Sequence, residues 1–230
     1  PQPDVCRSRL WTVVATMLAL CMAIPVAEAR APRKLPDLRR GDVRMAVSQQ
    51  ALEVIPLTVH VSTQDGDWVT SIRRITRWID RTNSALRPSG MQVRVKAVRA
   101  MGESNGSIVR WRHRRKLARL APHDGSVHVF VVNRVELNQR RNADQRVRGI
   151  YWRYRGLQPK MANREYIVVS RDAPDTTLAH EVGQLLGLRH SRSEQNLMCS
   201  CRRGPRQVFS GTQQRSMRAG LRRFSRRQRR

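Results

Sequence analysis

"TTLAHEVGQLLGLRHSRSEQNLM", residues 176–198, decides how this chain of 230 residues is read. His180 and Gln184 are four apart, so on a helix they share one face, one turn above the other. Glu181 lies beside that face. Gly187 permits the helix to end in a left-handed turn, and such a turn swings His190 back towards the same point. A histidine at position 184 would complete three neutral nitrogen donors around one position and leave a fourth for water, the pattern of an open zinc site. Gln184 stands there instead.

The remaining groups have a defined chemistry. Zinc lowers the pKa of water, and Glu181 is spaced to take that proton and pass it to a leaving amine. A carboxamide is neutral like imidazole and its oxygen reaches the same point, but zinc favours nitrogen and sulfur donors. Loss of even a supporting partner costs a metal site roughly 10 to 100-fold, so Gln184 weakens binding by at least that much.

His180, Glu181, Gly187 and His190 resemble the long zinc signature of the metzincin metallopeptidases, with Gln184 at its middle histidine. Ser191, directly after the last histidine, and "NLM" ending at Met198 are similar to the matrixin branch and its Met-turn. The resemblance covers roughly residues 53–224, with sharp motif identity confined to 178–198. It implies a secreted zinc endopeptidase with Glu181 as catalytic base, His180, His190 and, in the middle position, Gln184 as metal ligands, and Met198 in the Met-turn. It also implies an extended polypeptide substrate lying antiparallel to an edge strand, for which the stretch near Gly149 and Arg155 ("GIYWRYRG", 149–156) is the candidate. The chain departs from the family in Gln184, in Cys199 and Ser200 where tyrosine and proline usually follow the methionine, and in "PRKLPD", which has no latency cysteine.

Outward from this segment the pattern alternates between periods of two and near 3.6. "VIPLTVHVS" places Ile55, Leu57, Val59 and Val61 on one strand face. "DGDW" reads as a turn and helix start, with a stripe of Trp68, Ile72, Ile75, Ile79 and Leu86. "RPSG" stops that helix, and "MQVRVKAVRA" alternates as a strand. Residues 108–120 read as a basic helix, "SVHVFVVN" as a buried strand, "EYIVVS" as another, and 177–186 as the helix carrying the site. From Ser210 an amphipathic helix follows, capped by Ser210 or Thr212. The expected fold class is α/β (α+β), metzincin-like: a twisted, mostly parallel sheet with an active-site helix and a small C-terminal helical subdomain.

The N-terminal stretch carries a different signal. Arg7 and Arg9 precede an apolar run over residues 10–24, Pro25 breaks it, and "AEA" offers small residues for cleavage near Ala29. That order reads as a signal peptide over 1–29 and a secreted or periplasmic protein. Residues 30–52 read as a basic linker or short pro-segment, 53–225 as the catalytic domain and 226–230 as a basic tail. Without the signal only Cys199 and Cys201 remain, in "MCSC"; a strained disulfide, free thiols, an intermolecular bridge and a redox role all stay open.

The formal net charge is +28, and only four of the 45 basic residues are lysine. Arginines concentrate in "RWRHRRKLAR" (110–119) and in the acid-free stretch 202–230. This allows contact with polyanions through the arginine clusters, but no recognised nucleic-acid motif accompanies the charge and no specific nucleic acid is expected. His60, His113 and His128 read as structural. No acidic cluster has calcium-loop spacing, so no calcium site is expected, and the chain is expected to be a monomer. Two functions follow. One is a zinc endopeptidase weakened by Gln184. The alternative is a catalytically inactive module of the same fold that binds peptides or polyanions.

Overall fold

The computed structural model describes residues 52–102, 106–108, 111–135, 147–154, 158–199 and 208–229. The expected signal peptide and almost all of the expected linker lie outside the described residues, as does Arg155. Twelve elements build the described chain, besides two short 3₁₀ turns: β1 (Glu53–Gln64), β2 (Asp67–Trp68), α1 (Ile72–Leu86), β3 (Met91–Met101), β4 (Ser107–Ile108), α2 (Trp111–Arg119), β5 (Val127–Val132), β6 (Arg134–Val135), β7 (Gly149–Arg153), β8 (Glu165–Ser170), α3 (Thr177–Leu185) and α4 (Gly211–Gln228). No helix among the described residues is long and apolar enough to cross a membrane.

The central sheet runs β3-β1-β5-β8-β7, with β2 folded back on the end of β1. β3, β1, β5 and β8 are parallel, and β7 alone runs antiparallel at the edge beside β8. This is the expected mostly parallel sheet. β5 and β8 are buried along their whole length, as continuous β-branched and aromatic runs require when helices cover both faces.

Alternation along the strands builds two cores. Ile55, Leu57, Val59 and Val61 of β1, with Val127, Val129 and Val131 of β5, face α1, α3 and α4. Phe130 and Val132 of β5, with Tyr166 and Val168 of β8, face Leu117 and Ala118 of α2. The site-bearing helix and the basic helix α2 therefore lie on opposite faces of the sheet.

One element differs from its sequence reading. Trp68 belongs to β2, paired with Thr63 across a turn in which Asp65 and Gly66 take positive φ. The helix starts only after Ser71, whose hydroxyl accepts the amide of Arg74. Its buried face is then Ile75, Trp78, Thr82 and Leu86, and Ile72 is exposed. The turn residues and the cap set the register against the apolar spacing that made Trp68 look helical.

The C-terminal helix is capped by Ser210, with Gln213 completing a reciprocal capping box. Met217, Leu221 and Phe224 bury against the α3 side of the sheet. The residues read as a tail from position 226 continue this helix through Gln228, and Arg227 forms an ion pair with the buried Glu165, which also accepts the hydroxyl of Tyr151 at 2.7 Å.

Candidate metal centre and active site

α3 carries His180, Glu181 and Gln184 as the spacing requires. His180 and Glu181 are buried, Gln184 is half-buried and His190 is exposed. The helix ends at Gly187, whose φ of 96° only glycine adopts without strain. The left-handed turn expected there is present, and it brings His190 back over the helix. The two imidazole rings lie 5.2 Å apart.

The rings converge. Gln184 Nε2 lies 3.0 Å from His180 Nε2 and 2.7 Å from His190 Nε2. On the far side of its ring, His180 Nδ1 lies 2.8 Å from the Leu197 carbonyl, which can only accept, so that nitrogen carries the proton and Nε2 presents a bare lone pair. A carbonyl fixing the tautomer in this way is the usual support of a metal-binding imidazole. The Gln184 amide group donates to both rings and occupies the point where their lone pairs meet.

The floor beneath these groups is held by the turn before Met198. Leu197 N–H donates to the Val208 carbonyl, and Asn196 and Gln213 exchange side-chain hydrogen bonds. Met198 is fully buried under α3, where a Cβ on Gly183 would stand 2.6 Å from its sulfur. Glycine inside a helix costs about 1 kcal/mol relative to alanine; here it opens room for that sulfur. Gly220 of α4 performs a similar service, lying directly against the Leu186 carbonyl at the end of α3. Cys199 is buried and disulfide-bonded, which removes the free thiol from the states that its sequence left open.

Two glycine contacts at the site escaped the sequence reading, although Gly149 itself begins the expected substrate strand. Gly149, the first residue of β7, faces Glu181: a Cβ there would stand 3.0 Å from the carboxylate oxygen Oε1 and 2.6 Å from Thr177 Cγ2. Glu181 is thus lodged against bare backbone at the head of the edge strand. Gly183 is the second. The available signals were a glycine opening an aromatic strand and a glycine in the middle of a helix.

Among the described residues, no three His, Cys, Asp or Glu side chains gather as a metal-binding group. The reason is Gln184: two imidazoles and a carboxamide converge where three imidazoles would have done so. The two histidine donors fit zinc in type and direction. The third position fits once the amide turns over and offers its oxygen.

A second histidine pair lies on the opposite sheet face. His60 Nε2 is 3.0 Å from His128 Nδ1, and His128 Nε2 is 3.2 Å from Asp124 Oδ1. Both rings are buried, and His60 stacks on Phe130 at 4.6 Å. Burial, with the neighbouring His128 and Arg99 charges, pushes His60 down to about 4. Burial also lowers His128, against the opposing pull of Asp124.

No protein-family model matches the chain, and no characterised protein matches it in sequence. Solved structures do match in fold. The chain superimposes on metalloproteinase-II from Bacteroides fragilis with a TM-score of 0.50 at 14% identity, over 74% of this chain and 54% of that one. It therefore spans about half the length of that protein. Mirolysin, solved in complex with a compound, matches with a TM-score of 0.53 at 13% identity, over 76% of this chain and 96% of that one. The chain has a metallopeptidase fold.

Proposed function

We propose that this protein is a zinc-dependent endopeptidase of the metzincin type, with a metal site weakened by Gln184. The observation that carries the reading is the convergence of His180 Nε2 and His190 Nε2 on one point, beside a buried Glu181 carboxylate at the head of an edge strand. Zinc would be held by the two imidazoles and the Gln184 oxygen, and when bound it supplies Lewis-acid polarisation of the scissile carbonyl and of water. Glu181 takes the proton of the attacking water and delivers it to the amide nitrogen as the C–N bond breaks. Gly149 keeps the carboxylate seated against the strand.

An extended polypeptide is the substrate class. Among the described residues β7 pairs with β8 alone, so its outer edge offers main-chain hydrogen bonds to a further strand. Secretion and the matrixin-like assignment belong to the same proposal. They are supported by the apolar run and small residues within 1–29, and by Ser191 and Met198.

One observation favours the alternative, an inactive binding module: the Gln184 amide satisfies both rings without any metal. Zinc bound per chain, measured by elemental analysis of untagged full-length protein, separates the two. Near-stoichiometric zinc, with a Glu181→Ala variant that keeps the zinc but loses at least about 100-fold in peptide hydrolysis, is the result expected of an enzyme. No zinc in this chain but one per chain in Gln184→His would show an intact scaffold without its metal, and the peptidase reading would fail.

A further inference from the structure

α4 presents a feature that the peptidase reading does not use. Its exposed residues include Arg215, Arg218, Arg222, Arg226 and, at its C-cap, Arg229, spaced by three, four, four and three. At 3.6 residues per turn these five fall within an arc of about 80° and form a straight row about 21 Å long. The buried face, Met217, Gly220, Leu221 and Phe224, points the other way. The helix contains no acidic residue. None of the five arginines forms an ion pair with a described residue, whereas Arg227, off the row, is committed to Glu165.

The row works against its own helix. Like charges three and four apart destabilise a helix, and here each neighbouring pair along the row repels. Some exposed arginines elsewhere face an acid, Arg77 of α1 with Asp175 and Arg148 with Asp172, while others, such as Arg73, Arg94 and Arg99, are scattered singly and form no row. Five arginines are aligned on one face with no acid on the helix, and the one described carboxylate beside them, Glu53 of β1, lines a cleft with Arg222, Arg226 and Arg229 without forming an ion pair.

We propose that this row is a binding site for a linear sulfated polysaccharide. A straight line of arginines whose Cβ atoms stand about 5 to 6 Å apart, the spacing of helix neighbours, matches a strand carrying closely spaced anionic esters, and guanidinium pairs with such groups bidentately. Single-stranded nucleic acid is less suited, because its binding sites add aromatic platforms for base stacking, and the sole aromatic residue of α4, Phe224, is buried. Insertion into a bilayer is excluded for this face, since the apolar side of α4 is spent in the core; vesicles of anionic lipid bound as tightly, with the same dependence on the row, would overturn the choice of partner. The other basic helix, α2, packs on the opposite face of the sheet and cannot extend the row.

The test is binding of a heparin-derived octasaccharide to the full-length protein, by calorimetry across a salt series, with a twelve-residue oligothymidylate as second probe. The triple variant Arg218→Gln, Arg222→Gln, Arg226→Gln is compared with Arg73→Gln, Arg94→Gln, Arg99→Gln, which removes the same charge from exposed positions away from α4. The expected result is at least about a 10-fold loss for the α4 variant, with the salt slope flattened by about two to three, one for each lost contact, and less than about a 3-fold loss for the control. Equal losses in the two variants would reduce the effect to diffuse charge and overturn the proposal. Oligothymidylate binding as tightly, with the same dependence on the row, would overturn the choice of partner. Should the triple variant melt at a lower temperature, Arg222→Gln alone carries the test, with about a 3-fold loss expected.

Discussion

Two histidine pairs lie on opposite faces of one sheet, and they are wired differently. In His60–His128–Asp124 each ring hands a proton to the next: His60 Nε2–H donates to His128, whose Nε2–H donates to Asp124. The contacts form a chain, with burial and a carboxylate at its end. In His180–Gln184–His190 the two Nε2 atoms point at one place, and His190 is open to solvent. A chain of imidazoles is complete in itself. Convergent lone pairs are not, and they require a donor or a cation at their meeting point. Direction, more than the count of histidines, separates the structural pair from the candidate metal centre.

The strongest way to sharpen that contrast is to change the group at the meeting point. Gln184→His is expected to tighten zinc binding by about 10 to 100-fold or more, read by competition with a chelating indicator. His60→Gln is expected to leave zinc affinity unchanged. A zinc affinity in Gln184→His no better than in the parent would mean that the rings cannot reach one ion, and the convergence would lose its significance.

Stability should respond in the opposite sense. His128→Ala removes a buried ring and leaves His60 Nε2 without its partner, while Asp124 keeps the Ser126 amide and Lys96, at an expected cost of about 2 to 4 kcal/mol. His190→Ala, at an exposed ring, is expected to cost less than about 1 kcal/mol in zinc-free protein. Denaturant unfolding of the two variants in chelator checks this, and equal losses would erase the distinction between the pairs.

Acid should find the buried chain first. His60 binds a proton near pH 6.5 when unfolded but only near 4 when folded, because burial and the His128 and Arg99 charges oppose its protonation. Between those values the unfolded chain holds more protons, so stability is full above pH 6.5 and falls as pH drops towards 4, by on the order of 1 to 3 kcal/mol. Unfolding midpoints measured from pH 7 to pH 4 should show this decline in the parent and a shallower one in His60→Phe.

The sequence revealed much of this arrangement where period and punctuation agreed. β8 was found to the residue, because "EYIVVS" is β-branched and bounded by polar turns. Gly187 announced its turn, because positive φ is what glycine is kept for. The His180–His190 convergence followed from helix spacing plus that turn. Trp68 misled, since its step of four to Ile72 mimics a helix, while the hairpin at Asp65 and Gly66 and the Ser71 cap act on shorter range. Gly149 and Gly183 were silent because their reason is a neighbour distant in sequence or space: Glu181 for one, the Met198 sulfur for the other. The His60–His128 chain was equally hidden, since only strand register makes positions 68 residues apart neighbours.

The clasp between Asn196 and Gln213, and the seat of Gly220 against Leu186, have a temporal meaning as well. As the polypeptide leaves the ribosome, all five strands of the central sheet and α3 emerge before α4 exists. The carbonyl that orients His180 is anchored through Leu197 to Val208, and Val208 precedes α4 by only three residues. Among the described residues the candidate metal centre is therefore the last part to close, and a nascent or truncated chain carries its histidines and glutamate without the frame that aims them. Synthesis itself postpones the aiming of these groups until α4 has formed.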